Sequence, residues 1–232
     1  TRHGDTYAWG CDRWQQLGLG SAEAGAVGYT WEGGKLWQTA PRRVEALRGE
    51  RIVATACSDR HALGLTADGL VFSWGFNARG CLGRDESHAR SLPAAVPLPA
   101  GRGGAVLVDC ETGYSAAVLD DGSLWTWGGG DYGRLGLGDK QARPAPTLVT
   151  LPAGVGRVTH ISLGSLYMAA CCEYEAPPPP SPDPSPEAYP VAAPAAAPLA
   201  GNAEAAAPAV AAADDAAAMA AAAAAAEAKA AA

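Results

Sequence analysis

The chain of 232 residues carries 17 basic and 24 acidic side chains, for a net charge of −7, and 48% of it is hydrophobic. Alanine inflates that last figure. Residues 175–232 hold 30 alanines and 11 prolines with a local charge of −6, which leaves residues 1–174 close to neutral. So few large apolar groups cannot offset the entropy of ordering the tail, and a neutral body excludes a strongly basic nucleic-acid binder.

In chain order, the first signal is Gly4 followed by Trp9-Gly10 and Leu17-Gly18-Leu19-Gly20. The same spacing returns at Gly69, Trp74-Gly75 and Leu82-Gly83, and again at Gly122, Trp127-Gly128 and Leu135-Gly136. The second and third glycines form Asp68-Gly69 and Asp121-Gly122, pairs that favour tight hairpin turns because glycine accepts positive φ. Strands are predicted on either side of each turn: residues 61–66 with 70–74, and 114–119 with 123–127. Both pairs are rich in β-branched and aromatic residues and alternate with period two. His61 and Tyr114 occupy the same repeat position, and a further step of 53 residues lands on Tyr167. Repeats of about 50 residues built from short strands indicate propeller blades.

The first interval between Trp-Gly pairs is 12 residues longer than the second. The extra residues fall between Gly20 and Pro41, read here as a loop joining two blades. Tyr29, Trp31, Lys35 and Trp37 lie in it and form the candidate partner-binding loop, since exposed aromatics anchor many protein interfaces. The competing reading packs both tryptophans onto the blade.

These repeats resemble the regulator of chromosome condensation repeats. The stretch from Ala56 to Gly83 follows that family's blade pattern nearly end to end, and Asp109–Gly138 follows it more loosely. Ser58 and Glu111 replace a glycine of the pattern that Gly164 keeps; Cys81 and Arg134 replace a glutamine that Gln16 keeps. The resemblance implies an all-β fold of four-stranded antiparallel blades, here an incomplete propeller where the family usually has seven blades. It divides residues 1–174 into a half blade 1–48, full blades 49–102 and 103–155, and a half blade 156–174. Trp9, Gly10, His61, Asp68, Gly69, Trp74, Gly75, Tyr114, Asp121, Gly122, Trp127 and Gly128 are then structural repeat positions. The tryptophans, Trp125 included, are expected in the core. The two ends are complementary halves of one blade, and the family closes its ring in a similar way. Either the chain is a fragment of a longer protein, or a second chain completes the sector.

Residues 175–209 read as a Pro/Ala-rich linker and 210–232 as an alanine-rich tail with helix potential. No stretch of about 20 strongly apolar residues suggests a membrane span. The six cysteines read as free thiols of an intracellular protein, in cytoplasm, nucleus or a cytoskeletal or ciliary assembly. No Cys-x-x-Cys pair, phosphate loop, Gly-x-Ser-x-Gly or His-Glu-x-x-His occurs, so no catalytic residue, cofactor or metal is assigned. The Gly-Trp-Arg-His-Thr motif of the family's photoreceptor branch does not occur either. The expected function is a non-catalytic protein-interaction scaffold that contacts neither nucleic acid nor membrane directly. The resemblance also admits nucleotide exchange on a Ran-like small GTPase, or a module of a ubiquitin ligase.

Overall fold

Short hairpins closed by Asp-Gly turns build the centre of each four-stranded sheet, where the second strand is buried along its whole length. The computed structural model describes residues 4–20, 29–32, 35–84 and 90–174. The expected linker and tail helix lie outside the described residues. Strands β4 (Ile52–Cys57), β5 (His61–Thr66), β6 (Val71–Gly75) and β7 (Arg90–Ala95) form one antiparallel sheet in sequence order. Strands β8 (Ala105–Glu111), β9 (Tyr114–Leu119), β10 (Leu124–Gly128) and β11 (Arg143–Leu148) form a second. At the chain's start, β1 (Tyr7–Cys11) pairs with β3 (Lys35–Arg43), and β2 (Tyr29–Glu32) pairs with the outer side of β3. At its other end, β12 (Val155–Leu163) and β13 (Met168–Tyr174) form a two-stranded sheet. The described fold is thus almost entirely antiparallel β, arranged as propeller blades.

The hairpin turn between β5 and β6 shows why glycine is needed there. Gly69 has φ +84°, and a Cβ on it would lie 2.5 Å from the Gly104 Cα, so neither the backbone angle nor the adjacent backbone before β8 admits a side chain. The Thr66 hydroxyl accepts the Leu70 N–H at 2.9 Å and closes the turn.

Each Trp-Gly strand carries a β-bulge at its tryptophan: the register shifts between Ala8 and Gly10, between Ser73 and Gly75, and between Thr126 and Gly128. The bulge turns the indole toward the preceding blade. Trp74 Nε1–H donates to Gln16 O at 2.9 Å and Trp127 Nε1–H to Cys81 O at 2.9 Å, each reaching back to the turn that follows the previous Trp-Gly strand. The second strand of a blade reaches forward. His61 Nε2 is 2.8 Å from Ser115 Oγ, and the Tyr114 hydroxyl lies 2.6 Å from Gly164 O and 2.7 Å from Tyr167 O. Between the two complete sheets lies a buried cluster including Leu63, Leu65, Val71, Leu119 and Trp127.

Two expectations are corrected. The inter-blade insertion is not a loop throughout: Tyr29 and Trp31 lie on β2, and Lys35 and Trp37 on β3. The cause is local, because β-forming runs flank Gly33-Gly34, a two-residue hairpin signal. Trp9 is also no core residue. It is 59% exposed while Trp74 and Trp127 are buried, because no described turn of a preceding blade covers it.

Candidate functional site: the blade rim and the outer hairpin

The turns that follow β1, β6 and β10, and those joining β4 to β5 and β8 to β9, all open on one rim. Backbone bonds from Phe76 N–H to Arg60 O (2.9 Å) and from Gly129 N–H to Gly113 O (2.8 Å) tie the two kinds of turn together. Five residues beyond each repeat tryptophan come Trp14, Arg79 and Tyr132. Arg79 and Tyr132 adopt positive φ, at 55° and 62°, which points their side chains outward from a single turn of 3-10 helix.

Trp14 packs against Phe76 with ring centroids 4.6 Å apart, and the guanidinium groups of Arg13 and Arg60 lie 5.0 and 5.4 Å from its ring. One blade further, Arg79 bonds the carboxylate of Asp131. Beyond it, Arg134 stacks 4.9 Å over Tyr114, donates to Gly129 O at 2.7 Å, and donates to Ser165 O at 2.9 Å on the β12–β13 sheet. Burial lowers the Arg134 pKa from its ordinary value, and the Asp131 carboxylate opposes that shift. Arginines and aromatics thus line the rim across successive blades, a composition common in protein interfaces. None of these rim residues was singled out from the sequence except Arg134, as a departure from the repeat pattern. Their shared offset from Trp-Gly was the available signal.

The outer hairpin of β2 and β3 stands at the other edge of the first sheet. Tyr29 is opposite Gln38, Thr30 opposite Trp37, Trp31 opposite Leu36 and Glu32 opposite Lys35. Trp37 is half-buried and also lies across from Cys11 of β1. The side chains of Tyr29, Trp31 and Lys35 lie outside the description. Register places Tyr29 and Trp31 on one face of β2, since they are two residues apart.

His61 is fully buried. Its Nδ1 is 2.9 Å from Ser58 Oγ and its Nε2 meets Ser115, so both ring nitrogens are engaged within the blades. Burial pushes its pKa down to about 4. Asp68-Gly69 and Asp121-Gly122 occupy hairpin turns; Gly75 and Gly128 end the bulged strands β6 and β10, and Gly10 is the last residue but one of β1. Among the described residues, no cluster of three or more His, Cys, Asp or Glu is placed to hold a metal, and no helix is long and apolar enough to cross a membrane.

Known proteins share this arrangement. The human E3 ubiquitin-protein ligase HERC2 is 34% identical over 172 residues, covering 73% of this chain and 3% of the ligase. The Arabidopsis thaliana ultraviolet-B receptor UVR8 is 36% identical over 151 residues, covering 65% of this chain and 31% of the receptor. The chain therefore spans a small part of the relatives it matches. Among solved structures, Saccharomyces cerevisiae Prp20p, described with its binding to Gsp1p and histones, superposes with a TM-score of 0.62 at 20% identity, over 74% of this chain and 40% of that one. Human WBSCR16 superposes with a TM-score of 0.61 at 22% identity, over 75% of this chain and 41% of that one. Residues 3–65, 68–118 and 121–171 each match the regulator of chromosome condensation (RCC1) repeat. With three consecutive repeats, each carrying its tryptophan bulge, the chain belongs to the regulator of chromosome condensation repeat family.

Proposed function

We propose that the chain is a protein-interaction scaffold, in which rigid blades hold the arginine-aromatic rim and the outer hairpin toward a protein partner. The observation that carries this reading is the line of Trp14, Arg60, Arg79 and Tyr132 along one rim, set on blades locked together by indole hydrogen bonds. The hairpin residues Tyr29, Trp31, Lys35 and Trp37 form the second contact element in this reading. Affinity purification of partners with the wild type and with a Trp31→Ala/Trp37→Ala double variant tests the hairpin. The expected outcome is loss of the captured partner with an unchanged thermal unfolding temperature; retention of the partner removes the hairpin from the reading. Arg60→Glu/Arg79→Glu tests the rim in the same assay.

A narrower reading, favoured by the similarity to HERC2, is a docking module within a ubiquitin ligase. Identification of ligase subunits or ubiquitylated proteins among the captured partners would support it. Nucleotide exchange is the other class: accelerated nucleotide release from a Ran-like small GTPase would replace the scaffold reading.

A further inference from the structure

The outer hairpin carries a strand edge that the other blades lack. Each complete blade ends outward on β7 or β11, and both strands carry proline, at Pro93 and at Pro144 and Pro146. Proline has no N–H to offer a further strand. The preceding turns also close on these strands: Gly20 N–H donates to Ser91 O at 3.0 Å, and a Cβ on Gly80 would lie 2.3 Å from the Pro144 Cα. In the first sheet Pro41 stands on β3, but β2 lies outside β3 and contains no proline. Among the described residues β2 pairs with β3 alone. Its backbone polarity follows from β3. Leu36 O accepts the Asp12 N–H at 2.8 Å, so the polar backbone groups of Leu36 point to the β1 side. Trp31 stands opposite Leu36. Theirs is therefore the non-hydrogen-bonded kind of pair, in which the Trp31 N–H and C=O point away from β3. Those of Tyr29, two residues earlier, point the same way. The edge thus presents the donors and acceptors of Tyr29 and Trp31 in strand geometry.

We propose that this edge takes an extended segment of a protein partner as a further antiparallel strand. The inference rests on the hairpin's role as a contact element and names what it contacts. The occupant's composition follows from the rows that cross the sheet. Leu36 and Trp31 form one row and Gln38 and Tyr29 another. A β-branched apolar residue continues each of them, since aromatic and β-branched side chains pair well across strands. Lys35 and Glu32 form a third row, whose alternating charge a basic residue continues. Along the partner the segment therefore runs basic, apolar, polar, apolar, and its two apolar residues exchange backbone hydrogen bonds with Trp31 and Tyr29. A second copy of β2 fits less well, because Tyr-Thr-Trp-Glu offers no basic residue to that third row.

The probe is the end-blocked hexapeptide Ser-Lys-Val-Thr-Val-Ser, added at millimolar concentration to the whole isotope-labelled chain. Saturable shifts of the Tyr29 and Trp31 backbone amides in nuclear magnetic resonance are expected, with slowed hydrogen exchange at both. N-methylation of the two valines, whose N–H groups face β2, should weaken binding about tenfold or more, the loss of two hydrogen bonds. N-methylation of the lysine and threonine, whose N–H groups face away, should leave binding unchanged. Absence of shifts at the two amides, or equal losses from either pair of methylations, overturns the proposal. Trp31→Pro removes the outward N–H and should lower peptide affinity further than Trp31→Ala, which keeps it; circular dichroism of both should match the wild type, since that N–H bonds nothing within the sheet. A dimer of the chain alone that Trp31→Pro dissociates would assign the edge to a second copy and overturn the proposal. None of these readings needs a cellular partner. Failure to capture one would count against the scaffold reading, while the edge is judged on the peptide.

Discussion

His61 illustrates how a side chain that looks chemical is made structural. Full burial between two serine hydroxyls favours the neutral ring, and its pKa of about 4 lies below the ordinary value of 6.5. Above pH 6.5 neither the folded nor the unfolded chain protonates this ring, so the stability is fully present. As pH falls from 6.5 toward 4, only the unfolded chain takes up the proton and stability declines, by up to about 3 kcal/mol for a shift of this size. Urea denaturation of wild type and His61→Gln across that window should show the decline in the wild type and a flatter profile in the variant. Equal slopes would mean that His61 is not the titrating group. Thiol reactivity follows the same logic. Burial raises the Cys81 thiol to about 12 and raises Cys110 well above its ordinary value, while Cys171 is exposed. An alkylating reagent at pH 8 should therefore modify Cys171 in the native protein within minutes, and Cys81 and Cys110 only after unfolding, as read by peptide mass spectrometry.

At the scale of elements, the hairpins and bulges repeat because the same few residues recur at the same spacing. The blade-to-blade lock is the clearest case. The indole of Trp127 covers Gly83 and bonds Cys81 O, and a Cβ on Gly83 would lie 2.8 Å from Trp127 Nε1. Gly83 also has φ +70°, so alanine there meets backbone strain as well as the indole. Trp127→Phe is expected to cost about 2–3 kcal/mol in urea denaturation, from lost volume and a lost hydrogen bond. Gly83→Ala is expected to cost at least ~1 kcal/mol. Because both break one contact, the double variant should cost less than the two separate losses together. Full additivity would show that the lock is not a unit. The outer hairpin marks the limit of reading by repeat: the insertion was legible as 12 extra residues, but comparison with the other blades offered nothing equivalent to β2. Its own Gly33-Gly34 between β-forming runs was the usable signal.

For the whole molecule, the two complete sheets share one core. Leu63 and Val71 come from the first sheet and Leu119 and Trp127 from the second, all in one buried cluster. Neither sheet can open without exposing the other's apolar face, so the pair should unfold as one unit. Leu63→Ala, expected to cost about 2–5 kcal/mol, should lower hydrogen-exchange protection of β9 in the neighbouring sheet as much as that of β5. Protection of β9 that survives the substitution would show that the blades open separately. Such coupling suits a scaffold, because it holds Arg60 and Arg79, on different turns, in fixed relation to Asp131 and Arg134 on the next blade.

The sequence by itself determined the repeat, the hairpin turns at Gly69 and Gly122, and the family, because these depend on local φ preferences and on side chains at fixed spacing. The tertiary structure decided what spacing does not encode. Trp9 and Trp74 are the same residue in the same motif, yet one is exposed and the other buried, because burial is set by whether a neighbouring blade stands behind the strand. The repeat offset marks Arg79 and Tyr132 in the chain, but the rim as a surface was decided by the fold, since Arg60, Arg79, Asp131 and Arg134 are scattered in sequence and meet only where the turns of separate blades reach one side.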